Sequence, residues 1–244
     1  MDLTGKKILI TGGSSGIGLE FTRQLIKRSN KIVICGRDLD KLKKAQKDLP
    51  SIDYFQCDIA DDEQQQKLVE FVQTHHSDLN VLINNAGIQK NYSFTQLESH
   101  IDLIDEEMNI NATSQMKLID RLLPLLLQQH EAAIVNVTSL LAAVPKQSAP
   151  VYCASKAAFR MFTQALRYQL ESTPVKVFEV VPPLVDTEMT KGRGKNKMSV
   201  NELVKEALQG IEMDNSDILA GKSKNVFFLK RLFPKRIYAM IRNG

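Results

Sequence analysis

Short apolar runs alternate with longer amphipathic stretches along most of the chain. The apolar runs read as strands buried within a parallel sheet, and they cover residues 7–11, 31–35, 54–57, 81–84, 133–138 and 175–181. The intervening stretches read mainly as helices, at residues 19–29, 38–49, 61–74, 97–129 and 151–172. Pro124 is an expected kink in the fourth of these. The alternation predicts an α/β fold, a doubly wound parallel sheet with helices on both faces, formed as a single domain over residues 1–244.

A glycine-rich turn, Thr11-Gly12-Gly13-Ser14-Ser15-Gly16-Ile17-Gly18, joins the first strand to the first helix. Backbone N–H groups at a helix start can point at a pyrophosphate, and glycines leave room for its approach. Ser14 or Ser15 can cap the helix. A tight turn without a ligand is the alternative. The three motif glycines, Gly12, Gly16 and Gly18, between a strand and a helix favour a nucleotide site in a Rossmann-type sheet, beyond the carboxyl ends of its strands.

Composition narrows the class of protein further. The 244 residues are 43% hydrophobic with a net charge of +4, which suits one α/β domain with a substantial core and does not suggest a nucleic-acid-binding protein. No apolar run is long enough to span a membrane, and the N-terminus lacks the features of a signal peptide. The three cysteines are far apart and odd in number, and the four histidines form no ligand pattern. We therefore expect a cytoplasmic protein without a metal site.

Four further residues carry candidate chemistry. Tyr152 and Lys156 are four residues apart and share one helix face, where the cation can lower the pKa of the phenol. Ser139 ends the fifth strand, where a hydroxyl can hold a reacting carbonyl. Asn111 can hold a water in a proton path. Taken singly, each has an ordinary interpretation: a helix surface pair, a strand-end turn residue and a core-facing amide.

Taken together, these motifs resemble the short-chain dehydrogenase/reductase family in order and spacing. The matching positions, over about residues 5–190, are Thr11-Gly12-x-x-x-Gly16-x-Gly18, Asn84-Asn85-Ala86-Gly87, Asn111, Ser139 and Tyr152-x-x-x-Lys156. The resemblance implies that Tyr152 is the catalytic acid/base and that Lys156 binds the nicotinamide ribose and lowers the Tyr152 pKa. It also implies that Ser139 orients the substrate oxygen and that Asn111 supports a proton relay.

The same resemblance implies a set of cofactor-binding residues. Those expected at the pyrophosphate and ribose are Gly12, Ser14, Ser15, Gly16, Ile17 and Gly18. Those expected at the adenine are Asp58 and Ile59, and those expected beside the cofactor are Asn85, Ala86 and Gly87. Val185 and Thr187 would meet the nicotinamide carboxamide, and Tyr152 and Lys156 belong to both sets.

Two features depart from the family pattern. Pro182-Pro183 stands where the family usually has Pro-Gly after the sixth strand. In this it resembles a subgroup that is similar to the oxidoreductase encoded in Gram-positive teichoic-acid D-alanylation operons. The second departure is the end of the chain, residues 218–244, which holds seven Lys or Arg and no acid.

The end of the second strand bears on cofactor choice. Gly36 stands where an acid would select NAD, and Arg37 follows, whose guanidinium can grip a 2′-phosphate. We expect NADP(H), with NAD(H) as the alternative if Arg37 points into solvent. The expected activity is interconversion of a carbonyl and a secondary alcohol. The alternative is a dinucleotide sensor of the same fold that performs no turnover.

The remaining expectations concern the substrate and partners. Residues 185–215 are expected to form a substrate lid; the cations between residues 191 and 197 would suit an anionic small molecule, or form only a solvated loop. The apolar residues of 218–244 are expected to pack on the protein, with peripheral membrane contact as the less favoured alternative because Pro234 interrupts a long helix. The resemblance implies a homodimer or tetramer.

Overall fold

The computed structural model describes residues 1–96 and 99–243, and within them the chain forms one α/β domain. Seven parallel strands lie in the order β3-β2-β1-β4-β5-β6-β7. The strands are β1 (Lys7–Thr11), β2 (Lys31–Gly36), β3 (Ile52–Gln56), β4 (Val81–Asn84), β5 (Ala132–Val137), β6 (Val175–Val181) and β7 (Asp217–Leu219). The order reverses between β1 and β4, so the doubly wound Rossmann-type sheet is confirmed.

Helices cover both faces of this sheet. They are α1 (Gly16–Ile26), α2 (Leu39–Asp48), α3 (Asp62–His75), α4 (Ile101–Met108), α5 (Ser114–Leu127), α6 (Pro150–Gln169), α7 (Val200–Glu212), α8 (Lys222–Leu232) and α9 (Pro234–Arg242). Within the described residues, none of them is long and apolar enough to cross a membrane.

Alternate side chains of the central strands enter two separate cores. Ile8 and Ile10 of β1 point to the core shared with α1, α2 and α7, whereas Leu9 points to the core shared with α3, α5 and α6. This is the two-residue period of a strand that is covered on both faces. It explains why the central strands appear in the sequence as continuous apolar runs.

The boundaries of the first six strands follow the predicted ones closely. β1, β4 and β6 match them at both ends, and β2 and β5 differ by one residue. β3 begins two residues early, at Ile52. Asp38 caps α2, as predicted, by accepting a hydrogen bond from the Lys41 N–H at 3.0 Å.

The helix predicted over 97–129 is instead two helices joined by a π-helical turn, Asn109–Thr113. Polar side chains form hydrogen bonds across this turn. The Ser114 hydroxyl donates to Asn109 Oδ1 at 2.8 Å, and the Gln115 amide donates to the Ile110 carbonyl at 3.2 Å. Pro124 lies within α5. The first two predicted positions, Leu97 and Glu98, lie outside the described residues, as does Gly244.

The last strand of the sheet, β7, and the helix before it, α7, were not predicted. β7 has only three residues, and α7 follows a loop rich in glycine and charge. A signal for α7 was present, because Ser199 and Glu202 form a capping box in which each side chain bonds the other residue's backbone N–H. The helix then packs Leu203, Ala207 and Ile211 into the core beside α1. The second half of the expected 185–215 lid is thus part of the core, and the proposed lid is confined to its first half.

Candidate active site

A cavity of about 400 Å³ opens at the carboxyl ends of β1, β4, β5 and β6. It collects most of the residues singled out in the sequence: Gly12, Ser15, Gly16, Ile17, Asn85, Ala86, Gly87, Ser139, Tyr152, Lys156, Val185 and Thr187. Six others do not line it: Ser14, Gly18, Arg37, Asp58, Ile59 and Asn111. Gly18 and Asn111 lie behind its walls, and Arg37 and Asp58 lie at the β2 and β3 end of the same sheet edge.

The glycine-rich turn has the backbone and the space that a dinucleotide needs. Gly12 and Gly16 have φ values of 65° and 51°, in the left-handed region that favours glycine. A Cβ on Gly18 would collide with the Gly12 carbonyl and come within 2.6 Å of the Asn85 amide nitrogen. Only glycine therefore lets α1 start this close to β1.

The start of α1 is left open to an anion. Ser15 occupies the N-cap position, but its side chain makes no capping hydrogen bond, and the first turn contains no acid. The free N–H groups and the helix dipole thus face the cavity without a competing negative charge. Together with the glycine cradle, this donor set fits the pyrophosphate of a dinucleotide.

The Thr11 side chain links the glycine-rich turn to the segment that follows β4. The Thr11 hydroxyl oxygen accepts hydrogen bonds from the N–H groups of Asn85 and Ala86, at 2.9 and 3.0 Å. The Asn85 amide returns a bond to the Thr11 carbonyl at 3.0 Å. These contacts hold residues 85–87 against the end of β1, which places them beside the predicted cofactor path.

Tyr152 and Lys156 both point into the cavity from α6. Both side chains are buried, and the Lys156 ammonium donates to the Val137 carbonyl at 3.0 Å. Burial lowers the Lys156 pKa to about 8, because a charged ammonium loses solvation there.

Burial also raises the pKa of Tyr152 to about 12, and the neighbouring Ser139 hydroxyl offsets only part of this rise. The expected lowering of the Tyr152 pKa is therefore not seen in this structure, since the cost of desolvating a phenolate is the larger effect. A phenol with a raised pKa keeps its proton at neutral pH, so Tyr152 is in the acid form that carbonyl reduction consumes.

Ser139 lies at the end of β5, where a short helical turn begins. Its hydroxyl accepts a hydrogen bond from the Leu141 N–H at 3.1 Å, which fixes the side chain at the cavity wall. The Leu140 N–H donates to the Pro182 carbonyl at 2.9 Å. The Pro182-Pro183 departure thus lies directly beside the serine, and both prolines line the cavity.

The side chain of Asn111 is fully engaged with its own chain. Its oxygen accepts from the Ile88 N–H at 2.8 Å, and its nitrogen donates to the Ile88 carbonyl at 2.9 Å and to the Ser155 hydroxyl at 3.1 Å. The amide therefore fixes the loop after β4 against α6. The implied support of a proton relay stays a prediction.

Arg37 and Asp58 meet at the far end of the sheet edge. The Arg37 guanidinium is half-exposed and lies 3.6 Å from an Asp58 carboxylate oxygen. Gly36 offers neither an acceptor nor a negative charge here, as the sequence suggested. Ile59 is buried beside Asp58 in the core under this end.

The cavity also has lining residues that the sequence analysis did not assign as site residues. They include Gln89, Lys146, Arg193, Met240 and Ile241, which come from the loops after β4, β5 and β6 and from α9. Arg193 falls within the expected 185–215 lid, but which side chain of a loop reaches the cavity depends on the loop backbone. α9 had no signal beyond its amphipathic spacing.

Comparison with known proteins agrees with this geometry. A family model described as short chain dehydrogenase matches residues 6–198. The chain is 41% identical over 224 residues to the "Uncharacterized oxidoreductase DltE" of Bacillus subtilis (strain 168), covering 89% of each protein. This match bears out the resemblance to the D-alanylation-operon subgroup.

Two solved structures extend the comparison. A short chain dehydrogenase from Burkholderia cenocepacia J2315, in complex with NADP, superposes with a TM-score of 0.88 at 26% identity over 100% of both chains. A short chain dehydrogenase/reductase from Burkholderia phymatum, in complex with NAD, has a TM-score of 0.87 at 20% identity, over 100% of this chain and 97% of that one, and shares the fold. Motif, fold and family match coincide on one assignment: this chain is a member of the short-chain dehydrogenase/reductase family of oxidoreductases.

Proposed function

We propose that the protein is an NADP(H)-dependent oxidoreductase that interconverts a carbonyl and a secondary alcohol. The observation that carries the proposal is the convergence of Tyr152, Ser139 and Lys156 on one cavity, facing the open glycine turn. When bound, the nicotinamide supplies hydride to the carbonyl carbon, or accepts it in the reverse direction.

The chain's own residues account for the remaining steps. Ser139 donates a hydrogen bond to the substrate oxygen, and Tyr152 delivers its hydroxyl proton to that oxygen. The Tyr152 O–H bond breaks as the O–H bond of the alcohol forms. In the reverse direction, Tyr152 accepts the proton. Lys156 binds the nicotinamide ribose, and its ammonium opposes the cost of a Tyr152 phenolate.

The other cofactor contacts follow from position. Gly12 and Ser14 to Gly18 would hold the pyrophosphate and ribose, Asn85 to Gly87 would lie along the cofactor, and Val185 and Thr187 would hold the carboxamide. Asp58 and Ile59 would flank the adenine. Arg37 would bind the 2′-phosphate of NADP, the cofactor present in the Burkholderia cenocepacia structure.

Further parts of the proposal concern the whole protein. Three buried free cysteines suit a reducing compartment, and we place the protein in the cytoplasm.

We propose a homodimer built on α5 and α6, because Met161 and Tyr168 are exposed apolar residues on α6. Light scattering at micromolar concentration checks this; a clean monomer would contradict it.

Isotope transfer tests the reaction itself. NADPH carrying deuterium at the transferable position is incubated with the protein and a panel of ketones and aldehydes. The proposal predicts alcohol products with one deuterium at the carbinol carbon. A protein that binds NADPH and forms no labelled alcohol from any member of the panel would instead support the dinucleotide sensor of the same fold.

A further inference from the structure

Four cations lie between residues 191 and 197, and the structure separates them. Lys191 is exposed and lies 3.4 Å from Glu188, and Lys195 is also exposed. Lys197 donates to the Thr190 carbonyl at 2.7 Å and lies 3.3 Å from Asp186. Arg193 is the member of this set that lines the cavity containing Tyr152 and Ser139.

The guanidinium of Arg193 is held in place but has bonding capacity left over. One terminal nitrogen, Nη2, makes a long hydrogen bond of 3.4 Å to the Gln89 carbonyl. The other, Nη1, is buried and has no hydrogen-bond partner among residues 1–96 and 99–243. A buried guanidinium nitrogen without an acceptor is costly, so a site of this kind suits an incoming oxyanion.

The backbone around Arg193 directs it inward. The Arg193 N–H donates to the Thr190 carbonyl at 3.0 Å, and Gly192 and Gly194 have φ values of 75° and 57°. A Cβ on Gly194 would collide with the Leu184 side chain, which itself lines the cavity. Two glycines in left-handed conformation thus let this loop fold against the cavity wall.

The remaining residues of the cavity wall indicate which chemical groups a ligand would carry besides the oxyanion. Lys146 lines the same cavity from the loop before α6, whereas Glu188, the acid among the lining residues, is largely exposed and lies beside Lys191. The apolar part of the wall consists of Leu140, Leu141, Leu184, Met189, Met240 and Ile241. A hydrocarbon skeleton with an anionic end matches this combination of surfaces.

A competing explanation for the position of Arg193 is that its guanidinium neutralises the buried side chain of Glu107. Glu107 is fully buried, one of its oxygens accepts from the Lys90 N–H at 2.8 Å, and the other has no partner among the described residues. Arg193 is near enough to lower its pKa, although burial raises that pKa overall. Arg193 could therefore serve as the counter-ion of Glu107, but no salt bridge within 4.0 Å joins these two described residues, and Glu107 does not line the cavity.

We propose that Arg193, assisted by Lys146, binds the carboxylate of the substrate, so that the protein acts on ketones or secondary alcohols with an anionic end. This rests on the proposed function, and it names the substrate class of the same site. Arg193 fixes the anionic end, and the apolar wall holds the chain between it and the carbonyl at Ser139 and Tyr152.

Keto acids and their esters form matched probes. For each keto acid and its methyl ester, kcat/KM is measured with NADPH, and the acid-to-ester ratio is calculated. The acids are 4-oxopentanoate, 5-oxohexanoate and 6-oxoheptanoate. We expect the wild type to favour the acid by about tenfold or more at one chain length, since a hydrogen bond to a charged group contributes about 1.5–3 kcal/mol. Arg193→Met should bring the ratio near one, Arg193→Lys should restore part of it, and the exposed control Lys195→Met should keep it. Glu107→Gln should also keep it.

Binding of hexanoate to the protein–NADP⁺ complex, by calorimetry, separates the two proposals. Hexanoate affinity that falls about tenfold in Arg193→Met without turnover of any ketone would retain the carboxylate site and remove the proposed function. Turnover with equal acid and ester preference at every chain length would retain the function and overturn the carboxylate site. Loss of the acid preference in Glu107→Gln, or a rise in the KM for NADPH in Arg193→Met with the acid preference unchanged, would overturn it as well.

Discussion

The Lys156 ammonium lies 3.0 Å from the carbonyl oxygen of Val137, the last residue of β5. A buried cation is thereby held by one neutral acceptor at the edge of the cavity. Burial, and not a neighbouring carboxylate, accounts for the shift of its pKa. The arrangement costs stability in the folded protein and leaves the cation available to a ligand.

The stability of the protein should therefore depend on pH through Lys156. Burial lowers the folded pKa of Lys156 to about 8, whereas its ordinary value is 10.5. Between these values the unfolded chain binds more protons, so the Lys156 contribution to unfolding free energy rises with pH and is most unfavourable below about pH 8. Denaturant unfolding of dinucleotide-free protein at pH 7 and pH 10 measures this. Wild type should gain on the order of 2 kcal/mol more than Lys156→Met over that interval.

A surface lysine supplies the control for that comparison. Lys43 is exposed on α2, and Lys43→Met should follow the wild-type pH profile. A Lys156→Met profile parallel to wild type from pH 7 to pH 10 would mean that Lys156 is not buried as a cation.

Gly18 should not tolerate a side chain, because its Cβ would collide with the backbone carbonyl of Gly12. Gly18→Ala should lower NADPH affinity by more than tenfold and destabilise the protein by on the order of 2 kcal/mol, since an overpacked site forces the backbone to shift. Gly36→Ala is the matched control. Its Cβ would meet Ser14 Oγ at 3.5 Å and Leu42 at 3.9 Å, which are ordinary contacts. Calorimetric NADPH binding that is equal in the two variants would contradict this account of the turn.

Cofactor choice should depend on Arg37. Its guanidinium is half-exposed and is placed 3.6 Å from Asp58, in a weak surface pair that a 2′-phosphate can replace. Arg37→Ala should lower kcat/KM with NADPH by about tenfold or more and leave NADH nearly unchanged. A wild-type preference for NADH, or an equal loss with both cofactors, would show that Arg37 does not read the phosphate.

The C-terminal helices should contribute to the substrate wall. Ile237 of α9 packs with Leu140 and Val144, and Met240 and Ile241 line the cavity. Met240→Ser should raise the KM for an apolar ketone several-fold, whereas Phe228→Ser, an equally exposed apolar position on α8 away from the cavity, should not. Equal KM values in the two variants would remove α9 from the site.

The same segment bears on membrane contact. Because part of its apolar surface packs on the chain itself, we expect no more protein to co-sediment with anionic vesicles than with neutral ones. Salt-sensitive binding to anionic vesicles would favour the peripheral alternative.

Much of the sheet could be predicted because its strands are buried on both faces. In β1, β4 and β6 every position but one or two is apolar, so the runs begin and end where the strands do. β7 could not be predicted in this way, because three residues at the sheet edge carry no period. At the π-helical turn, the Asn109 side chain donates to the Ala60 carbonyl and accepts from the Ser114 hydroxyl, and local propensity does not reveal these contacts.

Some residues of the candidate site could likewise be predicted from the sequence, and others could not. Motif residues such as Gly12, Tyr152 and Lys156 could be placed, because their chemistry depends on short fixed spacing along one turn or helix. Arg193 could not be distinguished from Lys191 or Lys195, since its direction depends on how Gly192 and Gly194 turn the loop. The rise in the Tyr152 pKa could not be predicted from the sequence either, because desolvation is a property of the packed cavity.

The central claim is that the Tyr152 hydroxyl transfers the proton during carbonyl reduction. Tyr152→Phe keeps the buried ring and removes only that hydroxyl. NADPH binding, measured by calorimetry, should stay within about twofold of wild type, while single-turnover reduction of a ketone should slow by on the order of 10²–10⁴. Retention of more than about a tenth of the wild-type rate by Tyr152→Phe, with NADPH bound normally, would contradict the claim.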